Sequence, residues 1–186
     1  GNGHAVLVAR QAVGDEPFAM LWGDNLVVGP PSGVAQLLAA RERLGGSVAA
    51  AKRVPKDLAG RYGIFAGKAV DDRTIRVTGV IEKPAPGEAP SDLASVHGYV
   101  LESEIFGFLA DQPPGRNGEI WLTDAVTRLA KDHPVWAIVL EGRDYDAGDR
   151  AGYVAAFVDA ALERPDTGPA LRKHLSDAGW KPPGDR

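Results

Sequence analysis

Between Phe18 and Val54 the chain reads as strand, helix, strand, and this order limits the fold more than any other feature. The apolar run Phe18 to Trp22 predicts a buried strand ending in Gly23-Asp24-Asn25, which delivers a carboxylate at its C-terminal end. Ser32 suits a helix N-cap, Val34, Leu37, Leu38 and Leu44 follow near helical spacing, and Gly45-Gly46 offers a stop. Ser47 to Val54 predicts the second strand. Two strands joined through a helix lie parallel with a right-handed crossover, since a twisted strand feeding a right-handed helix packs back onto its sheet with that hand. Such sheets bind ligands just outside the carboxyl ends of their strands, where Asp24 falls.

After Pro55, Arg61-Tyr62-Gly63-Ile64-Phe65 and Thr74 to Glu82 predict a hairpin turning near Gly67 and Asp71-Asp72. Three prolines and a glycine make Lys83 to Asp92 a surface loop; Leu93 to Leu101 predicts a strand and Glu102 to Asp111 a helix. Gly115 to Gly118 predicts a second flexible loop, Thr123 suits the cap of a helix running to His133, and Val135 to Leu140 a buried strand. Helices around Gly152 to Glu163 and Pro169 to Ala178 follow, and Lys181 to Arg186 is expected to fray. The start, Gly1-Asn2-Gly3-His4 before the apolar run Ala5 to Ala9, reads as a glycine turn or an ordinary flexible beginning. A phosphate-cradling glycine loop needs a strand before it, so Gly1-x-Gly3 alone is a weak signal. No repeat is visible, and one domain spanning 1–186 is expected.

Composition removes several functions. A formal charge of −4 gives no basic field for a nucleic-acid backbone, so a polyanionic ligand must be held by local groups. The absence of cysteine excludes thiol catalysis, thiolate metal sites and disulfides within the chain. Apolar stretches are broken by Gly, Pro or charge well short of the roughly 20 residues needed to span a bilayer.

Chemistry concentrates at three places. Asp24 and the acids of Tyr145-Asp146-Ala147-Gly148-Asp149 suit Mg²⁺, which takes one or two carboxylates with phosphate oxygens; the alternative for Asp24-Asn25 is a turn or helix cap. In Glu82-Lys83-Pro84 the ammonium suits a phosphate and the glutamate suits sugar hydroxyls, if a bend overcomes the alternation of the pleat; the alternative is a solvated ion pair. Within Gly118-Glu119-Ile120-Trp121-Leu122-Thr123-Asp124, Glu119 can accept from hydroxyls, while Thr123 and Asp124 fit a helix N-terminus. His97, His133 and His174 show no metal-ligand spacing, and no nucleophile, base and orienting group form a triad.

Taken in order, Gly3-His4-Ala5-Val6, Gly14-Asp15-Glu16-Pro17-Phe18, Gly23-Asp24-Asn25, Gly45-Gly46-Ser47, Arg61-Tyr62-Gly63-Ile64, Glu82-Lys83-Pro84, Gly118-Glu119-Ile120 with Leu122-Thr123-Asp124-Ala125, and Tyr145-Asp146-x-Gly148-Asp149 resemble the motifs of the bacterial UTP–glucose-1-phosphate uridylyltransferases, within the sugar-phosphate nucleotidyltransferase family. The resemblance covers roughly residues 1 to 165. It implies a Rossmann-like nucleotide-diphospho-sugar transferase fold, a mixed, mostly parallel sheet flanked by helices. Residues 1–60 would form the remainder of a nucleotide-binding core, 61–150 the sugar-binding part and 151–186 C-terminal helices. Relatives open with a strand and a Gly-x-Gly-Thr-Arg loop that holds the triphosphate. Its absence here implies an N-terminal portion missing from this sequence, and an isolated segment that is inactive.

The resemblance also implies roles. Gly3 and His4 would lie by the nucleoside, and Asp24 and Asp146 would hold Mg²⁺ at the phosphates, Asp24 in a catalytic role. Lys83 would contact the sugar phosphate and serve catalysis. Gly63 would offer its backbone to a sugar hydroxyl, Glu82 would accept from others, Glu119 would support the pocket, and Val96 and Gly98 would approach the sugar, although His97-Gly98-Tyr99 departs from the usual Gly-Arg-Tyr. The implied reaction joins UTP and glucose 1-phosphate into UDP-glucose and pyrophosphate, in a cytoplasmic homo-oligomer without nucleic-acid or membrane partners. Thymidylyl, adenylyl or guanylyl transfer on the same fold stays open, as does a non-catalytic nucleotide-sugar-binding relative.

Overall fold

A computed structural model describes residues 1–115 and 118–180. The start, read as a glycine turn or a flexible beginning, is helical instead: α1 (Asn2–Val8) starts at once and α2 (Arg10–Val13) follows, ending at Gly14 with φ +69°. Gly3 explains the difference, because it is buried and its amide donates to Ile120 O at 2.9 Å, a tertiary contact that no local pattern announces.

Strand β1 (Phe18–Leu21) forms where expected but is not buried; its residues alternate between half-buried and exposed, as suits the end of a sheet order. It is followed by a strand the sequence did not reveal, β2 (Asn25–Val28). Helix α3 (Gly33–Leu44) starts and stops as predicted: Ser32 Oγ accepts the Ala35 amide at 3.3 Å, and Gly45 ends it with φ +69°. Next come β3 (Ser47–Arg53), a 3-10 turn (Lys56–Arg61), the hairpin β4 (Gly63–Ala69) and β5 (Thr74–Glu82), and β6 (Leu93–Leu101). Gly67 sits at a register shift within β4, so the hairpin turns later, around Asp71, whose carboxylate accepts the Arg73 amide at 2.9 Å. Helices α4 (Ile105–Ala110) and α5 (Leu122–Asp132) lead to β7 (Val135–Val139), a second unforeseen short strand β8 (Arg143–Asp146), and helices α6 (Arg150–Glu163) and α7 (Gly168–Asp177).

Backbone contacts divide these elements into two units, one of residues 1–23 and 27–143, the other of 24–26 and the chain from 144 onward. In the larger unit the main sheet runs β1-β6-β3-β7-β5-β4, and a further pairing of Ile64 with Ala94 joins β4 to β6, closing a ring of strands. The sheet is mixed and flanked by helices, as expected, but not mostly parallel: β3 and β7 pair parallel, while β1–β6, β3–β6, β4–β5, β4–β6 and β5–β7 pair antiparallel. The strands of the predicted strand–helix–strand unit do run in the same direction, but β6 is inserted between them, antiparallel to both.

Because successive strand residues point to opposite faces, β3 feeds two cores. Ala49 and Ala51 join Phe65, Val77, Leu101 and the helices α4 and α5, while Val48 and Ala50 join Leu37 and Ala40 of α3. Helix α5 buries Leu122, Ala125, Val126 and Leu129, the i, i+3, i+4, i+7 stripe of an amphipathic helix laid on a sheet. Full burial of side chains such as Leu129 or Phe65 stabilises by about 1.5–3 kcal/mol each, which fixes α5 against the hairpin. No helix among the described residues is long and apolar enough to cross a membrane.

Candidate functional site

Gly63 and Glu82 face each other across the β4–β5 ladder. A Cβ at Gly63 would lie 3.0 Å from Glu82 Oε2 and 3.1 Å from Thr123 Cγ2, so a bare Cα at 63 gives the carboxylate its place. Burial pushes the Glu82 carboxyl above its ordinary range; the Lys83 charge and the Thr123 hydroxyl oppose this, and the Asp124 charge adds to it. Asp124 is itself raised by burial. Behind Glu82, the fully buried Tyr99 phenol is pushed up to about 12 by desolvation, against the opposing bond to Ser95 at 2.6 Å and with the Glu82 charge adding to the rise. Tyr99 is therefore a neutral neighbour.

The bend demanded by Glu82-Lys83-Pro84 occurs at Lys83 itself, whose φ is 46°. Left-handed backbone at a non-glycine residue costs on the order of 1–3 kcal/mol and persists where surrounding bonds impose it. Here the Lys83 amide donates to Tyr62 O at 2.9 Å, continuing the ladder, while Pro84 is buried. The turn breaks the pleat's alternation and leaves the ammonium exposed, 5.9 Å from the centre of the Trp121 ring. Glu82 is half-buried, unlike a member of a solvated surface pair.

Trp121 and Glu119 stand in the segment before α5. Glu119 O accepts the Gly115 amide at 2.8 Å, Gln112 donates to Trp121 O at 3.0 Å, and Ile120 O holds Gly3. Glu119 is half-buried, and its Cβ would be 2.9 Å from a Cβ on Gly1. The expected loop Gly115 to Gly118 includes Arg116 and Asn117, which lie outside the described residues. Thr123 is not the cap of α5. The N-cap is Trp121, and the Leu122 amide is taken by Asn2 Oδ1 at 2.9 Å, so the cap comes from the far end of the chain. Gly3 has a packing reason to be glycine, with Ile120 O and Leu109 Cδ2 within 3.0 Å of a would-be Cβ; His4 is exposed.

Val96 is 4% exposed, with its side chain in the α3-side core, and Gly98 is pressed so closely on β1 that a Cβ would meet Met20 O at 2.1 Å. Between them His97 is buried with φ 53°, and its imidazole fills the space over Gly33. It shapes an irregular stretch of β6, where the register with β3 shifts between Ala49 and Ala51. Sequence reasoning gave His97 no such part, although the neighbouring glycine was the available sign.

In the smaller unit, Asp24 occupies the turn before β2 rather than the end of a buried strand. Asn25 donates to Asp144 Oδ1 at 3.2 Å and Tyr145 O at 3.3 Å, and the Ala147 amide donates to Asp24 O at 2.6 Å. These bonds bring the two predicted acids together: a Cβ on Gly148 would lie 3.0 Å from Asp24 Oδ2 and 3.1 Å from Asp146 Oδ1. Two carboxylates beside a residue with no side chain match the donor set of a hard divalent cation that takes its other ligands from phosphate and water. Among the described residues, no group of three or more His, Cys, Asp or Glu side chains is placed to hold a metal ion. Asp149 is occupied otherwise, capping α6 through the Ala151 and Gly152 amides at 3.0 and 3.2 Å.

Comparisons with known proteins agree with the sequence resemblance. The chain is 39% identical over 180 residues to a UTP–glucose-1-phosphate uridylyltransferase of Staphylococcus haemolyticus (strain JCSC1435), a match covering 97% of this chain and 62% of that relative, so the chain spans about six-tenths of its length. A UDP-glucose pyrophosphorylase solved in complex with UDP-glucose superposes with a TM-score of 0.83 at 32% identity, over 88% of this chain and 63% of that one. A UTP-bound UGPase from Acinetobacter baumannii gives 0.82 at 32% identity, over 95% and 62%. The profile of the family described as nucleotidyl transferase matches residues 1–163, and the chain belongs to that family.

Proposed function

We propose that this chain serves the transfer of a uridylyl group from UTP to glucose 1-phosphate, giving UDP-glucose and pyrophosphate. The observation that carries the reading is the Gly63–Glu82–Lys83 arrangement, a half-buried carboxylate beside an outward-turned ammonium on one strand end, in a chain similar to UDP-glucose and UTP complexes. A phosphate oxygen of the sugar 1-phosphate attacks the α-phosphorus of UTP; that O–P bond forms as the bond to the bridging oxygen breaks, and the electron pair leaves with pyrophosphate. No covalent intermediate with the protein is needed.

Lys83 places a compact positive charge on the sugar phosphate, and Glu82 accepts from sugar hydroxyls, so that the wrong epimer leaves buried polar atoms without partners. Gly63 offers backbone to a further hydroxyl, Glu119 steadies the pocket from its segment, and Val96 and Gly98 contribute backbone shape. Gly3 and His4 lie on the nucleoside side. Asp24 and Asp146 fit Mg²⁺, which when bound neutralises charge on the phosphates. In the same reading the protein acts in the cytoplasm as a homo-oligomer, without nucleic-acid or membrane partners.

The test is pyrophosphate release by the full-length protein supplied with glucose 1-phosphate and, in turn, UTP, dTTP, ATP and GTP, each with Mg²⁺ and again in excess chelator. Turnover with UTP that stops on chelation is expected. Preference for another nucleotide would remove the uridylyl assignment, and undiminished turnover in chelator would remove the metal.

A further inference from the structure

Thr123 is 5% exposed, and among the described residues its hydroxyl oxygen is buried without a hydrogen bond of normal geometry. A buried polar atom left in that state is uncommon and asks for an explanation, and helix capping, its expected role, belongs to Asn2. Its placement follows from its neighbour one turn later. Thr127 Oγ1 accepts the Val80 amide at 2.8 Å and donates to Thr123 O at 2.9 Å, which docks α5 on β5. Thr123 and Thr127 stand about 6 Å apart along the helix, and Val80 and Glu82 about 6.7 Å apart along the strand. Fixing Thr127 on Val80 therefore sets Thr123 against Glu82, where both side chains close around Gly63.

We propose that Thr123 is a positioning residue for the Glu82 carboxylate, its hydroxyl kept out of water as a donor that closes onto Glu82 when sugar hydroxyls draw the carboxylate into place. This rests on the sugar-binding reading of Glu82. Because the hydroxyl oxygen has no exposed surface, it acts through Glu82 rather than on the sugar. The charged or titratable groups facing Glu82 are Lys83 on its own strand end, Asp124 on α5 and Tyr99 on β6. Of these Lys83 favours the ionised carboxylate, as the Thr123 hydroxyl does, and Asp124 disfavours it.

The experiment measures kcat and kcat/KM for glucose 1-phosphate against pH in the full-length protein and its Thr123→Val, Thr123→Ser and Glu82→Gln variants, with thermal melts of each. Loss of a donor to a charged acceptor predicts a fall of about 10- to 100-fold in Thr123→Val at neutral pH, with KM for UTP within about twofold of wild type. The acid limb of its kcat, set by the substrate complex in which the hydroxyl has closed, should move to higher pH, because an ionised Glu82 without its donor takes up a proton more readily. Melting should change little, since the hydroxyl makes no hydrogen bond of normal geometry in the free protein, and Thr123→Ser should restore both rate and profile. A wild-type rate and profile in Thr123→Val would overturn the proposal while an impaired Glu82→Gln kept the sugar reading standing. An equal loss from Thr123→Val in the Glu82→Gln background, or a loss with lower melting and no shift of the acid limb, would overturn it as well. Wild-type kcat/KM in Glu82→Gln alone would remove the sugar reading itself.

Discussion

Replacing Lys83 by glycine separates what its side chain does from what its backbone costs. At φ 46° the wild-type residue is held in the left-handed region, at on the order of 1–3 kcal/mol. Glycine enters that region without penalty but gives up roughly 0.5–1 kcal/mol in chain entropy. Loss of the contact with the Trp121 ring, near the limit of cation–π range at 5.9 Å, removes about 0.5–1 kcal/mol more. These terms nearly cancel, so Lys83→Gly should melt within about 4 °C of wild type, on the scale of 2–4 °C per kcal/mol for a chain of this size. The effect on the reaction is of another order. An ammonium aimed at charge developing in a closed site is worth roughly 2.7–4 kcal/mol, a loss of about 100- to 1000-fold in kcat. Coupled pyrophosphate release on the full-length protein, read beside a thermal melt, measures both. Near wild-type kcat/KM for glucose 1-phosphate in Lys83→Gly would take the sugar phosphate away from this turn and leave Lys83 an exposed residue with no part in the reaction.

Asp24→Asn and Asp146→Asn should each lower kcat by at least about a hundredfold, as the proposed cation site beside Gly148 requires, while cooperative melting is retained, because the amide oxygen of Asn can still accept the Gly148 amide that Asp146 Oδ1 holds at 3.1 Å. Glu82→Gln should melt above wild type at pH 7, with the gap closing below about pH 4: burial raises the folded carboxyl, so the folded state favours the protonated form, and stability falls as pH rises through that value. Gly98→Ala should destabilise by at least about 2 kcal/mol in urea unfolding, since its Cβ would stand 2.1 Å from backbone Met20 O at φ +156°. A variant as stable as wild type would show that β1 can move away from β6.

The parts legible in the sequence are those with local causes. Ser32, the apolar spacing after it and Gly45 define α3 by capping and periodicity alone, and Leu93–Leu101 is long and apolar enough to be read as β6. Asn25–Val28 and Arg143–Asp146 are four residues each and carry no run of apolar residues beyond their own length, so the two strands that frame the acid pair went unread, while Asp24 was picked out by its place after an apolar run and Asp146 was chosen among the neighbouring acids by resemblance. The helical start at Asn2 and the capping of α5 depend on each other across a separation of 120 residues through Gly3, Ile120 and Asn2. The bend at Glu82-Lys83-Pro84 was visible as a need, but its location at Lys83 follows from the bond to Tyr62 O.

Strand β6 is bonded along one edge to β3, and its other edge is divided between β4 at Ala94 and β1 from Gly98 onward. The β4–β5 hairpin is thus held at both sides, by β6 through Ile64 and by β7 through Thr74 to Arg76. A hairpin fixed on one side can fray from its free side, but one closed into a ring has no first bond to lose cheaply. Gly63 and Glu82 are the last pair of that hairpin, one residue from Ile64, so opening there must also break the Ile64–Ala94 pairing. Opening at that end should therefore be rarer than the fraying of a hairpin with one free side.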